Sequence, residues 1–252
     1  MNKVLAGYRD GVSDFGTNYT VEFWGGEVAE VDLVDYMAHG AETLAKTTRG
    51  YTGVYTNDNP SSEEMERFLG DIQNTKLGTP LEMMNFVFLF RDVPRSWTHQ
   101  LVRTRMASYV QESTRFYGKK GVYKVLAPKT SVVDHHINKY YFEGNVTAIQ
   151  SYVNMMDEGI VSNEDARQVL PQSFLTNVFV GIDMKTLMGI HEVRWCCQAE
   201  PSTWIPVMRG IKKHIASIYG NDVAEILKAP IDRGQPCGFN ASFDRPCTWK
   251  KR

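Results

Sequence analysis

The stretch Gln100-Leu-Val-Arg-Thr-Arg-Met-Ala-Ser-Tyr-Val-Gln-Glu-Ser-Thr-Arg-Phe-Tyr117 packs three arginines, two glutamines, two serines and two tyrosines into 18 residues. A helix opened by Pro94 and Ser96 is expected to run into it, carrying Trp97, Leu101, Val102 and Met106 on an apolar stripe. On that helix Gln100 and Arg103 share a face. Arg103 and Arg105 stand about 200° apart, so one rigid helix cannot aim both at the same atom. They should therefore serve two ligands, two subunits, or one ligand and one carboxylate. Guanidinium forks suit phosphate, and Ser113, Thr114 and Arg115 add hydroxyl donors and a further fork. The same spacing fits a solvated helix whose arginines make surface ion pairs near its C-terminus. The residues alone leave the chemistry unnamed.

Upstream, Phe86-Val-Phe-Leu-Phe90 is a compact run that reads as a buried strand, after a break at Gly78-Thr79-Pro80. Residues 31–47 carry a helical apolar period weakened by Gly40, residues 49–62 read as loop, and Ser62 caps a short helix ending at Gly70. Downstream, glycines, lysines and Pro128 make 117–131 read as a mobile loop. Helices are expected at about 145–158, stopped by Gly159; at 163–170, opened by Ser162; at 181–198; and at 206–228. The tail 230–252 is irregular and contains Cys237 and Cys247. No compositional linker appears, so residues 1–252 are expected to form one α+β domain with a helical majority.

The chain has 252 residues, with 28 Lys+Arg against 29 Asp+Glu and a net charge of −1. At 42% hydrophobic and 23% charged it has an ordinary globular composition, which argues against disorder. Balanced charge removes a globally electrostatic case for nucleic acid. No run approaches the roughly 18 apolar residues of a membrane span, and charge at the start speaks against a signal peptide. A cytoplasmic protein without nucleic-acid or membrane partners is expected. Adjacent Cys196 and Cys197 read as buried thiols, and neither the four cysteines nor the six histidines show metal-ligand spacing, so no metal is expected. No Gly-x-Gly-x-x-Gly, Walker loop or Gly-x-Ser-x-Gly elbow is present.

At Arg103-Thr104-Arg105, seven residues, then Ser113, the sequence resembles the flavin-dependent thymidylate synthase family, whose signature is Arg-His-Arg, seven residues, Ser. Ser108, Ser113 and Arg115 match its wider pattern. Thr79-Pro80-Leu81-Glu82 upstream, and Val169-Leu170-Pro171 and Thr186-Leu187-Met188 leading to Arg194 downstream, support the likeness, which covers about residues 30–215. The resemblance implies a mixed sheet and a homotetramer with shared active sites. It implies flavin adenine dinucleotide (FAD) as cofactor, methylenetetrahydrofolate as carbon donor, NADPH as reductant, and methylation at C5 of a uracil nucleotide. By position, Thr79, Glu82, Arg103, Thr104, Arg105 and Lys185 would hold the flavin, Lys185 replacing a usual arginine. Gln100, Gln111, Ser113, Thr114, Arg115, Asn177 and Arg194 would hold the nucleotide. Arg194 and Ser113 are the expected catalytic residues: Arg194 polarises the uracil, and Ser113 positions the nucleotide rather than attacking it. The 117–131 loop would be a lid.

The chain departs from the family pattern at several positions. Thr104 stands in place of the signature histidine, Val110 and Gln111 in place of an Asn-Glu pair, Phe116 in place of Tyr, Gly189 in place of Asn, and Asn177 where an arginine is aligned. Losing one charge of each sign at Gln111 and Asn177 implies a re-cut site. An amide at either position could hydrogen-bond a ribose 2′-OH, as suits relatives that methylate UMP. The rivals are a cysteine-dependent, flavin-free synthase using Cys196 or Cys197, and a flavin- or nucleotide-binding homologue without catalysis.

Overall fold

The computed structural model describes residues 19–25, 27–74, 78–115, 121–127, 135–195, 201–229 and 232. In chain order the elements are β1 (Thr20–Gly25), β2 (Glu30–Tyr36), α1 (Gly40–Gly50), α2 (Ser62–Asn74), a 3-10 turn (Thr79–Met83), β3 (Asn85–Pro94), α3 (Arg95–Leu101) and β4 (Ala107–Gln111). There follow β5 (Val122–Ala127), α4 (His135–Glu158), α5 (Asn163–Ala166) with a 3-10 turn (Arg167–Val169), β6 (Leu175–Asp183), α6 (Met184–Arg194), α7 (Pro201–Tyr219) and α8 (Asn221–Ala224). Helix exceeds strand among the described residues, as the α+β reading expected. The strands form a two-stranded sheet, β1-β5, and a four-stranded sheet in the order β2-β3-β6-β4. Among the described residues, no helix is long and apolar enough to cross a membrane.

The chain divides into two compact units. The first comprises Met1–Glu30, Arg91–Leu101 and Gln111–Val178; the second comprises Val31–Phe90, Val102–Val110 and Phe179–Arg252.

In the first unit β1 and β5 run parallel, with Thr20 opposite Val122 and Gly25 opposite Ala127. Period-two alternation turns Val21, Phe23, Tyr123 and Val125 inward. Helix α4 covers them with Phe142, Ile149, Tyr152 and Val153, spaced to lie on one helical face. The Phe142 ring meets Phe23 edge-on at 4.1 Å between centroids. Each such burial contributes about 1.5–3 kcal/mol. Gly159, at φ 67°, closes α4 in the left-handed region that glycine adopts without strain. The Ser162 side chain then accepts from Asp165 N and opens α5.

In the second unit, Phe86, Phe88 and Phe90 of β3 are buried and stacked in succession. Leu44 and Ala45 of α1, Met184, Leu187 and Ile190 of α6, and Trp204, Val207, Met208, Ile211 and Ile215 of α7 complete its apolar interior. Helix α7 approaches β2 so closely that a Cβ at Gly210 would lie 2.8 Å from Val31 Cβ. Only glycine permits that approach.

Several elements depart from the sequence expectation. Residues 31–47 hold a strand and then a helix, β2 and α1, because Val-Asp-Leu-Val-Asp fits period two as well as the helical period. Helix α3 stops at Leu101, and Val102 and Met106 are exposed rather than on an apolar stripe. β-Branched Val102 and Thr104 favour the helix weakly, and Ala107–Gln111 finds ladder partners in β6. Gln100 and Arg103 therefore share no helical face. The loop expected over 117–131 contains β5, since Tyr123, Val125, Leu126 and Ala127 are buried despite the surrounding lysines and glycines. Helix α4 begins at His135, ten residues early, and α2 runs through Gly70 to Asn74, packing outweighing the roughly 1 kcal/mol cost of a helical glycine. The strand at Phe86–Phe90, the stop at Gly159 and the cap at Ser162 stand as expected. Phe116, the four cysteines, and 116–120 and 128–134 of the expected lid region lie outside the described residues.

Candidate active site

In the first unit the segment after β4 is tied to α5. Asn163 Nδ2 donates to the Arg115 carbonyl at 2.9 Å, and the Arg115 guanidinium pairs with Glu164. Arg167 reaches the same Glu164 Oε1 at 3.4 Å, so one carboxylate serves two guanidiniums. Ser113 Oγ accepts from Arg115 N at 3.3 Å, and Thr114 is buried. Gln100 lies half-buried in the last turn of α3. Gln111 Nε2 donates to Thr98 Oγ1 at 3.1 Å, and Thr98 Oγ1 donates to the Arg95 carbonyl at 3.0 Å.

Asn177 is engaged at both ends of its amide. Oδ1 accepts from Asp92 N at 3.1 Å, and Nδ2 donates to Glu112 Oε2 at 3.2 Å. Asp92 has φ 53°, a left-handed conformation that aspartate tolerates better than most residues, and Lys124 pairs with its carboxylate at 3.0 Å. Asn177 thus braces a kink in β3.

A cavity of about 290 Å³ opens beside these residues, lined among others by Arg95, His99, Thr114, Arg167, Gln168 and Gln172. Burial pushes the Arg95 guanidinium below the ordinary arginine value, and the charge of Arg167 pushes the same way. Two cations facing one cavity at a desolvation cost are the chemistry of an anion site. Sequence reasoning did not single out Arg95, His99 or Arg167. The signal for Arg167 lay in the Ser162 cap, which sets Glu164 and Arg167 three apart on one turn beside Val169-Leu170-Pro171.

The second unit gathers the residues expected to hold flavin. Thr79 and Glu82 sit on the 3-10 turn and Lys185 in the first turn of α6, which Asp183 caps by accepting from Thr186 N. Lys185 pairs with Glu82, whose hydrogen bond raises the lysine's pKa. Gly78 presses on the lysine stem, where a Cβ would come within 3.2 Å of Lys185 Cε. Arg103 and Arg105 are exposed in the turn between α3 and β4. The Thr104 carbonyl accepts from Tyr109 Oη at 2.7 Å. Arg194 ends α6 over the Trp204 ring, 5.1 Å from its centroid. Burial, then the charge of Arg103, lowers the Arg194 guanidinium's pKa.

The predicted residues therefore fall into two groups. Thr79, Glu82, Arg103, Thr104, Arg105 and Lys185 belong to the second unit, together with Arg194. Gln100, Gln111, Ser113, Thr114, Arg115 and Asn177 belong to the first. Among the second group, hydroxyls at Thr79 and Thr104 and cations at Arg103, Arg105 and Lys185 are a donor set that fits the pyrophosphate and ring carbonyls of a flavin dinucleotide.

Fold and site together define an α+β protein with arginine clusters in both units. The family described as thymidylate synthase complementing protein matches residues 32–204, and the chain belongs to that family. It is 28% identical over 188 residues to a flavin-dependent thymidylate synthase of Clostridium tetani, covering 69% of this chain and 70% of that one. It is 30% identical over 175 residues to one of Sulfurisphaera tokodaii, covering 68% and 67%. Its fold is similar to that of PolB, a UMP/dUMP methylase from Streptomyces cacaoi solved with 5-Br dUMP, at a TM-score of 0.67 and 18% identity over 79% of this chain and 95% of that one.

Proposed function

We propose that the protein methylates C5 of the uracil of UMP or dUMP, with methylenetetrahydrofolate as carbon donor and NADPH as reductant, as a cytoplasmic homotetramer. The observation that carries the reading is the phosphate-suited cluster of Ser113, Thr114, Arg115 and Arg167 beside a cavity, in a chain of this family. PolB has been solved once with 5-Br dUMP and once with 5-Br UMP, which keeps both acceptors in view.

FAD, held by Thr79, Glu82, Arg103, Thr104, Arg105 and Lys185, would supply hydride transfer when bound. Glu82 gives up Lys185 to a ligand phosphate at little cost, because the pair is half-exposed. In the first unit, Arg115 and Arg167 fix the acceptor phosphate with Ser113 and Thr114 donating hydroxyls, and Gln100 contacts the nucleotide. Arg194 lies against Trp204, where partial burial strengthens its interaction with charge developing on a uracil oxygen. Ser113 is a donor and not a nucleophile; its contact from Arg115 N supplies no base to activate it. Asn177 spends its amide on Asp92 and Glu112, so Gln111 is the amide that would read a ribose 2′-OH.

The test is to purify the protein, read flavin absorbance at 450 nm, and assay methylenetetrahydrofolate, NADPH and either nucleotide in parallel. Yellow protein that methylates UMP or dUMP supports the reading. Yellow protein that forms neither product leaves the binding-homologue alternative standing in its place.

A further inference from the structure

Resting on the reading that the first unit holds the acceptor, we propose that Arg95 is a specificity-determining residue of that site: with Arg115 and Arg167 it sets a fixed charge matched to the dianion of a phosphate monoester. The cavity then selects a free 5′-mononucleotide over a phosphodiester or an unphosphorylated nucleoside.

Arg95 lines the cavity together with Arg167, His99 and Thr114. Its place is fixed by backbone: Arg95 N donates to the Phe174 carbonyl at 3.0 Å and Ser96 N to the Gln172 carbonyl at 2.9 Å. Leu170, Pro171, Gln172 and Phe174 form the facing wall. The cation is thus held by two main-chain bonds against the segment that also carries Arg167. Arg95 and Arg167 line the cavity, and Arg167 shares the carboxylate of Glu164 with Arg115, so the charged groups tied to the cavity by these contacts are three guanidiniums and one carboxylate. Three positive charges less one negative leave two, the charge of a phosphate monoester above its second ionisation near pH 6. A phosphodiester supplies one negative charge and a nucleoside none, and either leaves half-buried guanidinium unmatched. Uncompensated buried charge is penalised far more than a surface charge. His99 is exposed at the rim of the same cavity. Asp165 is occupied at the Ser162 cap and faces the α5 terminus.

The experiment is calorimetric titration of UMP, uridine, the methyl ester of UMP and inorganic phosphate into the wild-type protein, Arg95→Ala and Arg95→Lys, with no turnover required. In the wild type UMP should bind more tightly than the methyl ester and uridine, with affinity rising as pH passes about 6. Arg95→Ala should weaken UMP and inorganic phosphate roughly 10- to 100-fold and leave uridine unchanged. It should also flatten the pH step, and Arg95→Lys should recover most of both. Equal loss for UMP and uridine, or no loss for UMP, overturns the proposal. If Arg95→Ala does not fold, Arg95→Lys against Arg95→Gln gives the same contrast at near-constant length. A protein that forms no methylated product but shows this Arg95-dependent preference loses the catalytic reading and keeps the charge-matched site.

Discussion

The first unit is a parallel strand pair under one 24-residue helix, and it ends in a polar cavity rimmed by arginines. The second is an aromatic strand core with three apolar helical faces; its cations Arg103, Arg105, Lys185 and Arg194 sit on the α3–β4 turn and α6, and Glu82 sits on the 3-10 turn. The nucleotide residues inferred from the sequence fall in the first and the flavin residues in the second, with Arg194 the exception. One motif supplies both. Between Leu101 and Gln111 the chain leaves the first unit and returns to it, so Arg103 and Arg105 go to one group and Ser113 and Arg115 to the other. Sequence proximity in this signature therefore does not mean a shared role.

The division can be broken most directly through the two cores. Phe142→Ala should lower unfolding free energy by about 3–5 kcal/mol, and Phe88→Ala in the second unit by a similar amount. In denaturant, one common transition moved equally by both variants would erase the energetic distinction, whereas two transitions, each moved by one variant, would sharpen it.

Arg194 tests whether roles follow the units. Arg194→Ala should reduce kcat/KM roughly 100- to 1000-fold while flavin absorbance per chain stays at the wild-type value. Flavin loss with nucleotide affinity retained would assign Arg194 to the second group after all.

His191 gives the second unit a pH dependence of its own. It is buried, stacked on Trp195 at 4.9 Å, and its pKa is lowered to about 4 by burial first and by Lys212 second, Glu225 opposing. Its folded pKa lies below the unfolded one, so the unfolded chain takes up the proton first as pH falls. Stability from this group is complete above about pH 6.5 and drops by roughly 2–3 kcal/mol on approaching pH 4.5. His191→Leu should flatten that part of the denaturation profile; an unchanged profile would assign acid sensitivity to other groups.

Smaller effects distinguish the ligand sets. Lys185→Ala should weaken flavin about tenfold and leave UMP binding as it is, read by flavin retention on dilution and by calorimetry. Gln111→Glu should change the UMP to dUMP ratio of kcat/KM by a few-fold, since a carboxylate cannot donate to Thr98 Oγ1 as the amide does. An unchanged ratio would remove Gln111 as the reader of the sugar.

Much of this site was legible at the level of residue type. Ser162, Gly159 and the Phe86–Phe90 run marked local structure because capping, left-handed turns and dense aromatic burial depend on neighbours close in sequence. The signature arginines and serines, read against the family, pointed to the same chemistry as the Thr79–Glu82–Lys185 and Ser113–Arg115 groups. Arg95 and Arg167 escaped notice because each is an ordinary arginine until α3 and the Leu170–Phe174 segment enclose one cavity. The bond between Asn177 and Asp92 was not legible because it spans 85 positions.

The sequence by itself determined the class of elements, several of their ends, and the cations available for anionic ligands, since these follow from propensity, capping and side-chain charge. Only the tertiary structure decided that α3 stops at Leu101, that Val122–Ala127 pairs with β1 instead of forming a lid, and that Glu164 holds two arginines beside a cavity. Each of these depends on strand pairing or burial between distant segments, and there ladder bonds and excluded water outweigh local preference.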